Sequence, residues 1–339
     1  MNPTWQDQLL KTGAFIENDR VAHFGHPEKE LQAAQSGTIL TDLSHLGVIG
    51  VSGEDSQTFL QGQSTNDVRL APERAQHNSL CTPKGRMLAS FLLWRDDDGY
   101  ALQLPAALQA GIQKRLAMYV LRSKVKIRDA SAESVRLGLA GVGAEQLLQK
   151  TFGALPADVP GVARHSRGTL IRLGQSRFEI VTTAELAPDL WHELSQESTP
   201  AGSICWEWLE IQAGIPVILP QTQEQFTPQM ANFEAIGGVS FTKGCYTGQE
   251  IVARTQYLGK VKRRLYLAHV VADSVPQPGD ELFGADQTTG MVVNAQPAPG
   301  GGYDLLAVIP TGSVETGTIH YKTPDGPALG FLPLPYQVE

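Results

Sequence analysis

The chain has 339 residues, 42% of them hydrophobic, with 27 Lys and Arg against 35 Asp and Glu, a formal charge of −8. That balance excludes a general nucleic-acid coat protein, the length allows two or three domains, and no apolar run approaches the ~18–20 residues of a membrane span. Three widely spaced cysteines, Cys81, Cys205 and Cys245, exclude a disulfide framework and point to reduced thiols.

The opening Met-Asn-Pro-Thr-Trp-Gln-Asp has neither the basic start nor the apolar stretch of a signal peptide, so a cytoplasmic location and no membrane partner are expected. Pro27, with Glu28 and Glu30 behind it, predicts a short helix that stops before Gly37. Thr38 to Val51 reads as one strand, and Ser52-Gly-Glu-Asp55 as a capping box that starts a helix through Phe59 and Leu60. Strands follow over Ser79–Trp94 and Tyr100–Leu104, with turns at Thr82–Gly85 and Asp96–Gly99.

Pro105 opens a helix that places Leu108, Ile112, Leu116 and Tyr119 on one face. Two strands are expected near Val125–Arg128 and Val135–Ala140, then a helix through Leu147. Between them Gly141-Val-Gly143 lacks the last glycine of a dinucleotide fingerprint, with Gln146 in its place, and reads as an ordinary turn. Further strands are predicted at Thr169–Leu173 and Arg177–Val181, and helices near Pro188–Gln196 and Ile204–Ala213, the second ended by Gly214 and Pro216. From Val261 onward the chain shows short alternating strands, and nine of its 21 prolines fall after residue 275. The fold class expected is α+β on antiparallel sheets, with residues 1–254 as two interleaved α+β subdomains and 255–339 as a C-terminal all-β barrel.

Lys243-Gly-Cys-Tyr-Thr-Gly-Gln-Glu250 is the densest motif in the chain. Thr247 and Glu250 have capping-box spacing, which predicts a helix N-terminus just after Cys245. The dipole there and the Lys243 ammonium both favour thiolate over thiol, and on an extended lead-in Lys243 and Cys245 share a face. The chemistry expected is a working thiol at Cys245 with Lys243 beside it; the bland alternative is a buried structural cysteine in a tight loop. A basic run, Arg254 to Arg264, follows; it reads as a solvated strand edge, or as a site for an anionic ligand tail or RNA. No Cys-x-x-Cys pair accompanies any cysteine, and His23-x-x-His26 lies in a Gly/Pro loop, so no metal site is expected.

The octapeptide resembles the signature of the YgfZ family of folate-binding proteins, relatives of the glycine-cleavage T-protein, an aminomethyltransferase. Three other stretches agree in order: Asp42-Leu-Ser-His-Leu-Gly47 through Phe59-Leu-Gln-Gly-Gln-Ser-Thr-Asn-Asp-Val68, then Cys81-Thr-Pro-Lys-Gly-Arg-Met-Leu-Ala89, then Gln225–Phe233 with Gly237-Gly238. The resemblance spans about residues 38 to 265 and implies a ring of three domains around a folate cavity. It also implies support, linked to tetrahydrofolate or a derivative, of iron–sulfur enzymes, including those that thiolate tRNA. The partners it implies are folate, iron–sulfur proteins and tRNA. On this resemblance Asn66 and Asp67 are expected to shape the cavity and Lys84 and Arg86 to meet the folate glutamate tail, with Gln249 and Glu250 in the same site; Arg254 meets that tail or caps the end of its helix, and Tyr246 stacks on the pterin or is a buried core tyrosine.

Two departures matter. The T-protein has a catalytic aspartate in the segment matching Gly85–Ser90, where this chain has Ala89 and Ser90. It grips the pteridine with an acid where this chain has Gln212, within Glu210-Ile-Gln-Ala-Gly214. A glutamine amide cannot give the charge-assisted two-point contact of a carboxylate. Both changes argue against aminomethyl transfer and leave folate binding weakened but surviving. The competing reading is a folate-dependent one-carbon transferase acting on tRNA or protein, with Cys245 as nucleophile. A third is a scaffold whose cysteine is a spectator.

Overall fold

The structure is a computed structural model and describes residues 1–72, 74–97, 99–284 and 287–338. Helix α1 (Pro3–Lys11), not expected from the sequence, starts at Asn2, whose side chain accepts the Trp5 N–H. The hairpin β1 (Phe15–Glu17) to β2 (Arg20–His23) turns on Asn18 and Asp19, both at positive φ. Helix α2 (Pro27–Ser36) stops before Gly37 as expected.

The single strand expected over 38–51 is two, β3 (Thr38–Asp42) and β4 (Leu46–Ser52). The Asp42 carboxylate accepts from the Ser44 N–H at 3.0 Å and the Ser44 hydroxyl at 2.9 Å, and this side-chain turn breaks the ladder. Helix α3 (Ser56–Gln63) begins four residues after Ser52, so the box expected at Ser52–Asp55 does not form; Ser52 closes β4 and Asp55 accepts the Lys124 N–H instead.

The strands β5 (Gln76–Cys81), β6 (Met87–Asp96) and β7 (Gly99–Pro105) follow, with the expected turn at Thr82–Gly85 closed by a Gly85 N–H to Thr82 carbonyl bond. The turn expected at 96–99 includes residue 98, which lies outside the described residues. Helix α4 (Ala106–Met118) buries Leu108, Ile112 and Leu116, while Tyr119 caps it and is exposed. Then come β8 (Lys126–Asp129), β9 (Val135–Gly141), α5 (Ala144–Phe152), the unexpected β10 (Gly161–His165), β11 (Gly168–Arg172) and β12 (Arg177–Thr182). After α6 (Ala187–Ser195) and β13 (Thr199–Ala201), α7 (Ser203–Gln212) ends near Gly214 at φ 65°. The remainder is α8 (Gln249–Leu258), β14 (Arg263–Val270), β15 (Glu281–Gly284), β16 (Gln287–Pro297), β17 (Tyr303–Pro310), α9 (Thr311–Thr316), β18 (Ile319–Tyr321) and β19 (Gly330–Leu332).

Two compact units emerge, each assembled from three stretches of chain. Unit 1 comprises Met1–Ser56, Leu70–Gln76 and Leu93–Trp206. It holds a sheet in the order β10-β11-β12-β9-β3-β13, antiparallel except where β13 runs parallel to β3. Its core gathers Leu137, Leu139, Phe178, Ile180 and Leu190 around Trp5 and Trp191, whose rings meet edge-on at 5.6 Å. The strand β4 pairs with β7 and β8 and is covered by α4.

Unit 2 comprises Gln57–Arg69, His77–Leu92 and Glu207–Glu339. Its β-rich tail forms an antiparallel sheet, β18-β15-β16-β17-β14-β19, packed on Ala268, Val270, Leu282, Val292, Leu305 and Ile309. The sheet is tied to the preceding stretch by side-chain bonds. Asn294 exchanges both its amide bonds with the Val217 backbone, and Asn232 donates to the Leu265 carbonyl. The antiparallel α+β class expected from the sequence is the class observed.

Candidate functional site

The octapeptide lies wholly in unit 2, and its lysine organises it from the inside. The Lys243 ammonium donates to the carbonyls of Gln61 at 2.8 Å, Ser64 at 2.5 Å and Asn66 at 2.9 Å. These oxygens sit at the last turn of α3 and in the loop after it, the negative end of that helix. An ammonium has three hydrogens, and all three are committed here. Burial draws the Lys243 pKa down to about 8, against the pull of Asp67 and with the help of Arg69. The ammonium also lies 5.0 Å from the centre of the Tyr246 ring.

The loop that receives Lys243 is itself cross-braced. Thr65 donates its hydroxyl to the Gly238 carbonyl at 2.7 Å, and Asn66 donates its amide to the carbonyls of His77 and Gly237. The Asn66 side-chain oxygen accepts the Asp67 N–H, and Asn78 accepts the Asn66 N–H. The Asp67 carboxylate takes two guanidinium bonds from Arg69 and an amide bond from Gln61, which hold its pKa down at about 2. The glycine pair 237–238 thus supplies carbonyls to the very loop whose other carbonyls hold Lys243.

Cys245 faces outward and is exposed, whereas Lys243 is buried, so the two side chains do not share a face as the sequence spacing implied. The capping box expected at Thr247 and Glu250 is also absent. The N-cap of α8 is Gly248 at φ 86°, with no side-chain cap bond, and Glu250 is exposed. Close packing explains the glycine: a Cβ there would lie 2.4 Å from the Thr82 carbonyl oxygen and 3.2 Å from the Cys81 Cβ. The octapeptide therefore rests on the Thr82–Gly85 turn, with Gly85 in turn against the Ile251 side chain. Beneath it Cys81 is buried, and burial pushes its thiol up to about 12. Cys245 is the accessible thiol among the cysteines.

The remaining residues singled out by sequence divide into committed and free. Gln212 donates to Asp304 at 2.9 Å, a carboxylate that also receives the Trp208 indole N–H at 2.8 Å and pairs with the His269 ring at 2.8 Å. Nothing in the local pattern around residue 212 marks Asp304, 92 residues later, as its partner. Arg86 donates to the Gln225 carbonyl at 2.6 Å. Tyr246 is buried, and Gln249 reaches the Gly244 carbonyl only at 3.5 Å. Lys84 and Arg254 are exposed and carry no ion pair among the described residues. Lys84 sits in the turn that packs on Ile251, and Arg254 lies one helical turn beyond Ile251, so the two flank one contact. Among the described residues no group of three or more His, Cys, Asp or Glu side chains is placed to hold a metal, and no helix is long and apolar enough to cross a membrane.

A reduced folate asks for a carboxylate-binding cation and for amide or carboxylate partners to the pterin. Lys84 and Arg254 fit the first requirement. The Asn66 and Gln212 amides are already hydrogen-bonded within unit 2, so a pterin contact at either would exchange an existing bond.

Comparison with known proteins fixes the family. The GCVT N-terminal domain matches residues 8–239. The tRNA-modifying protein YgfZ of Enterobacter sp. (strain 638) is 35% identical over 321 residues, which cover 92% of this chain and 98% of that relative. The chain belongs to the YgfZ family. Among solved structures, the glycine cleavage system aminomethyltransferase T from Bartonella henselae superposes with a TM-score of 0.78 over 99% of this chain and 97% of its own, at 17% identity. At that identity the likeness establishes a T-protein-like fold and nothing about activity. The family resemblance carried by the octapeptide and its companion stretches is borne out. The YgfZ octapeptide combines here an internal lysine, an external cysteine and a glycine pressed onto a neighbouring turn.

Proposed function

We propose that this YgfZ-family protein binds tetrahydrofolate or a close derivative and supports tRNA modification in the cytoplasm, by assisting the synthesis or repair of iron–sulfur enzymes that thiolate tRNA. Cys245 presents the reactive thiol to those clients. The observation that carries the reading is the division of labour in the octapeptide: Lys243 is held by three carbonyls, which fixes the loop, and Cys245 is turned outward from it. The printed name of the Enterobacter relative, a tRNA-modifying protein, supports the tRNA role. Lys84 and Arg254 are the cations for the folate glutamate tail.

Aminomethyl transfer is disfavoured on local grounds. Ala89 is fully buried, and the Ser90 hydroxyl accepts the Ile218 N–H at 2.9 Å, so this stretch of β6 offers no carboxylate to a folate nitrogen.

Calorimetric titration with tetrahydrofolate tests the reading, alongside complementation of cells that lack the protein, scored by tRNA thiolation. Wild type binds; Cys245→Ala binds equally well and fails to restore thiolation; Lys84→Ala with Arg254→Ala weakens binding. Absence of heat with the wild type removes the folate role. Full rescue by Cys245→Ala reduces the thiol to a spectator.

A further inference from the structure

We propose that the C-terminal end of α8 and the cleft beside it form a binding site for a single-stranded segment of RNA, with one base edge read by Glu234. The proposal rests on the tRNA part of the functional reading and names the surface it uses.

Three features lie in the cleft or on the chain that borders it from α8 into β14, all in unit 2. First, a cleft of about 540 Å³, within the size range of small-ligand sites, is lined by Glu234, Thr255, Gln256, Lys260, Arg264 and Gln337. Second, one Glu234 oxygen accepts from Arg264, while the other, Oε2, is buried with no hydrogen-bond partner among the described residues. A buried carboxylate oxygen without a donor is costly, and a ligand N–H would satisfy it. Third, the chain entering β14 presents Lys260, Lys262 and Arg263 outward with no ion pair among the described residues. Next to them Tyr257 is 67% exposed, its ring held edge-on by Phe241 at 6.2 Å.

Cations in a row match phosphates spaced along a backbone, and an exposed aromatic ring matches the face of an unpaired base. The buried acceptor matches the N–H edge of a second base, which is accessible only when that base is unpaired. An acidic peptide or a second folate tail would suit the cations but would set a carboxylate against Glu234. A duplex would meet the cations and leave both Tyr257 and Glu234 without a base.

The test uses the full chain without folate and a fluorescently labelled short single-stranded RNA, with a hairpin duplex as competitor, read by anisotropy across salt concentrations. Tyr257→Ala should weaken binding about 10-fold, and Tyr257→Phe should retain it. Lys260→Ala with Lys262→Ala should flatten the slope of log affinity against log salt by about 1.4, since each phosphate contact to a single strand contributes about 0.7. Glu234→Gln should weaken binding at unchanged slope. Equal competition by the duplex, tighter binding by Glu234→Gln, or wild-type affinity in all these variants overturns the site. A protein that binds tetrahydrofolate and restores tRNA thiolation yet binds no single-stranded RNA overturns this proposal alone. A protein that binds RNA here but gives no heat when titrated with tetrahydrofolate overturns the folate role and leaves this site standing.

Discussion

An ammonium group that faces three carbonyl oxygens at hydrogen-bond distance is a structural element in its own right. Lys243 closes the end of α3 onto the loop before α8, and its stem is buried with its charge. Lys243→Met keeps most of the apolar stem and strands the Gln61, Ser64 and Asn66 carbonyls. Loss of charged hydrogen bonds to buried acceptors should cost about 3 kcal/mol, seen as a lower urea midpoint at an unchanged m-value. A loss below about 1 kcal/mol would mean that water replaces the ammonium, and the lysine would return as a candidate for chemistry. At this scale the motif was legible and its roles were not. The spacing of Lys243 and Cys245 suggested a pair on one face, but the oxygens that claim the lysine come from a loop about 180 residues earlier, held by Asn78, Gly237 and Gly238. Local spacing carries no signal of such partners.

At the scale of elements, the turn chemistry written in the sequence was sound where backbone freedom decided and unsound where side chains competed. Pro27, Gly37 and Gly214 mark helix ends as expected. The strand over 38–51 breaks because Asp42 prefers its own turn, and the start of α8 is set by a glycine rather than by Thr247. The two glycines of the octapeptide separate these causes. Gly248 has φ 86°, and a Cβ there would meet the Thr82 carbonyl at 2.4 Å; a Cβ at Gly244 would meet nothing within 4 Å. Gly248→Ala should therefore cost more than about 2 kcal/mol, combining left-handed strain with a backbone clash, whereas Gly244→Ala should stay within about 0.5 kcal/mol. Thermal melts of the two variants make the comparison. Equal melting would show that α8 slides off the Thr82–Gly85 turn at little cost, and that the octapeptide is not locked to it.

For the molecule as a whole, the decisive fact is that each unit collects its residues from three separated stretches of chain. Sequence patterning reads one stretch at a time, so it could find the β-rich tail but not the earlier segments that join it. The tail beyond residue 255 contains every strand of its sheet and the cluster around Leu282 and Leu305. Several of its polar groups find partners outside it. Asp304 takes bonds from Trp208 and Gln212, Asn294 pairs with Val217, the Leu265 carbonyl accepts from Asn232, and Arg264 pairs with Glu234. A fragment of residues 255–339 loses all of these at once. A small sheet in which Asp304 keeps only its His269 bond, in which Asn294 and the Leu265 carbonyl lose these partners, and which has little apolar area to spare is marginal. The fragment should bind a hydrophobic dye, show poor amide dispersion and exchange its amide hydrogens quickly, while a fragment of residues 207–339 restores every one of those partners and should protect the same strands. Equal protection in both fragments would make the tail an autonomous domain with its boundary near residue 255, and would reduce the Asp304 and Asn294 bonds to surface decoration of a finished sheet.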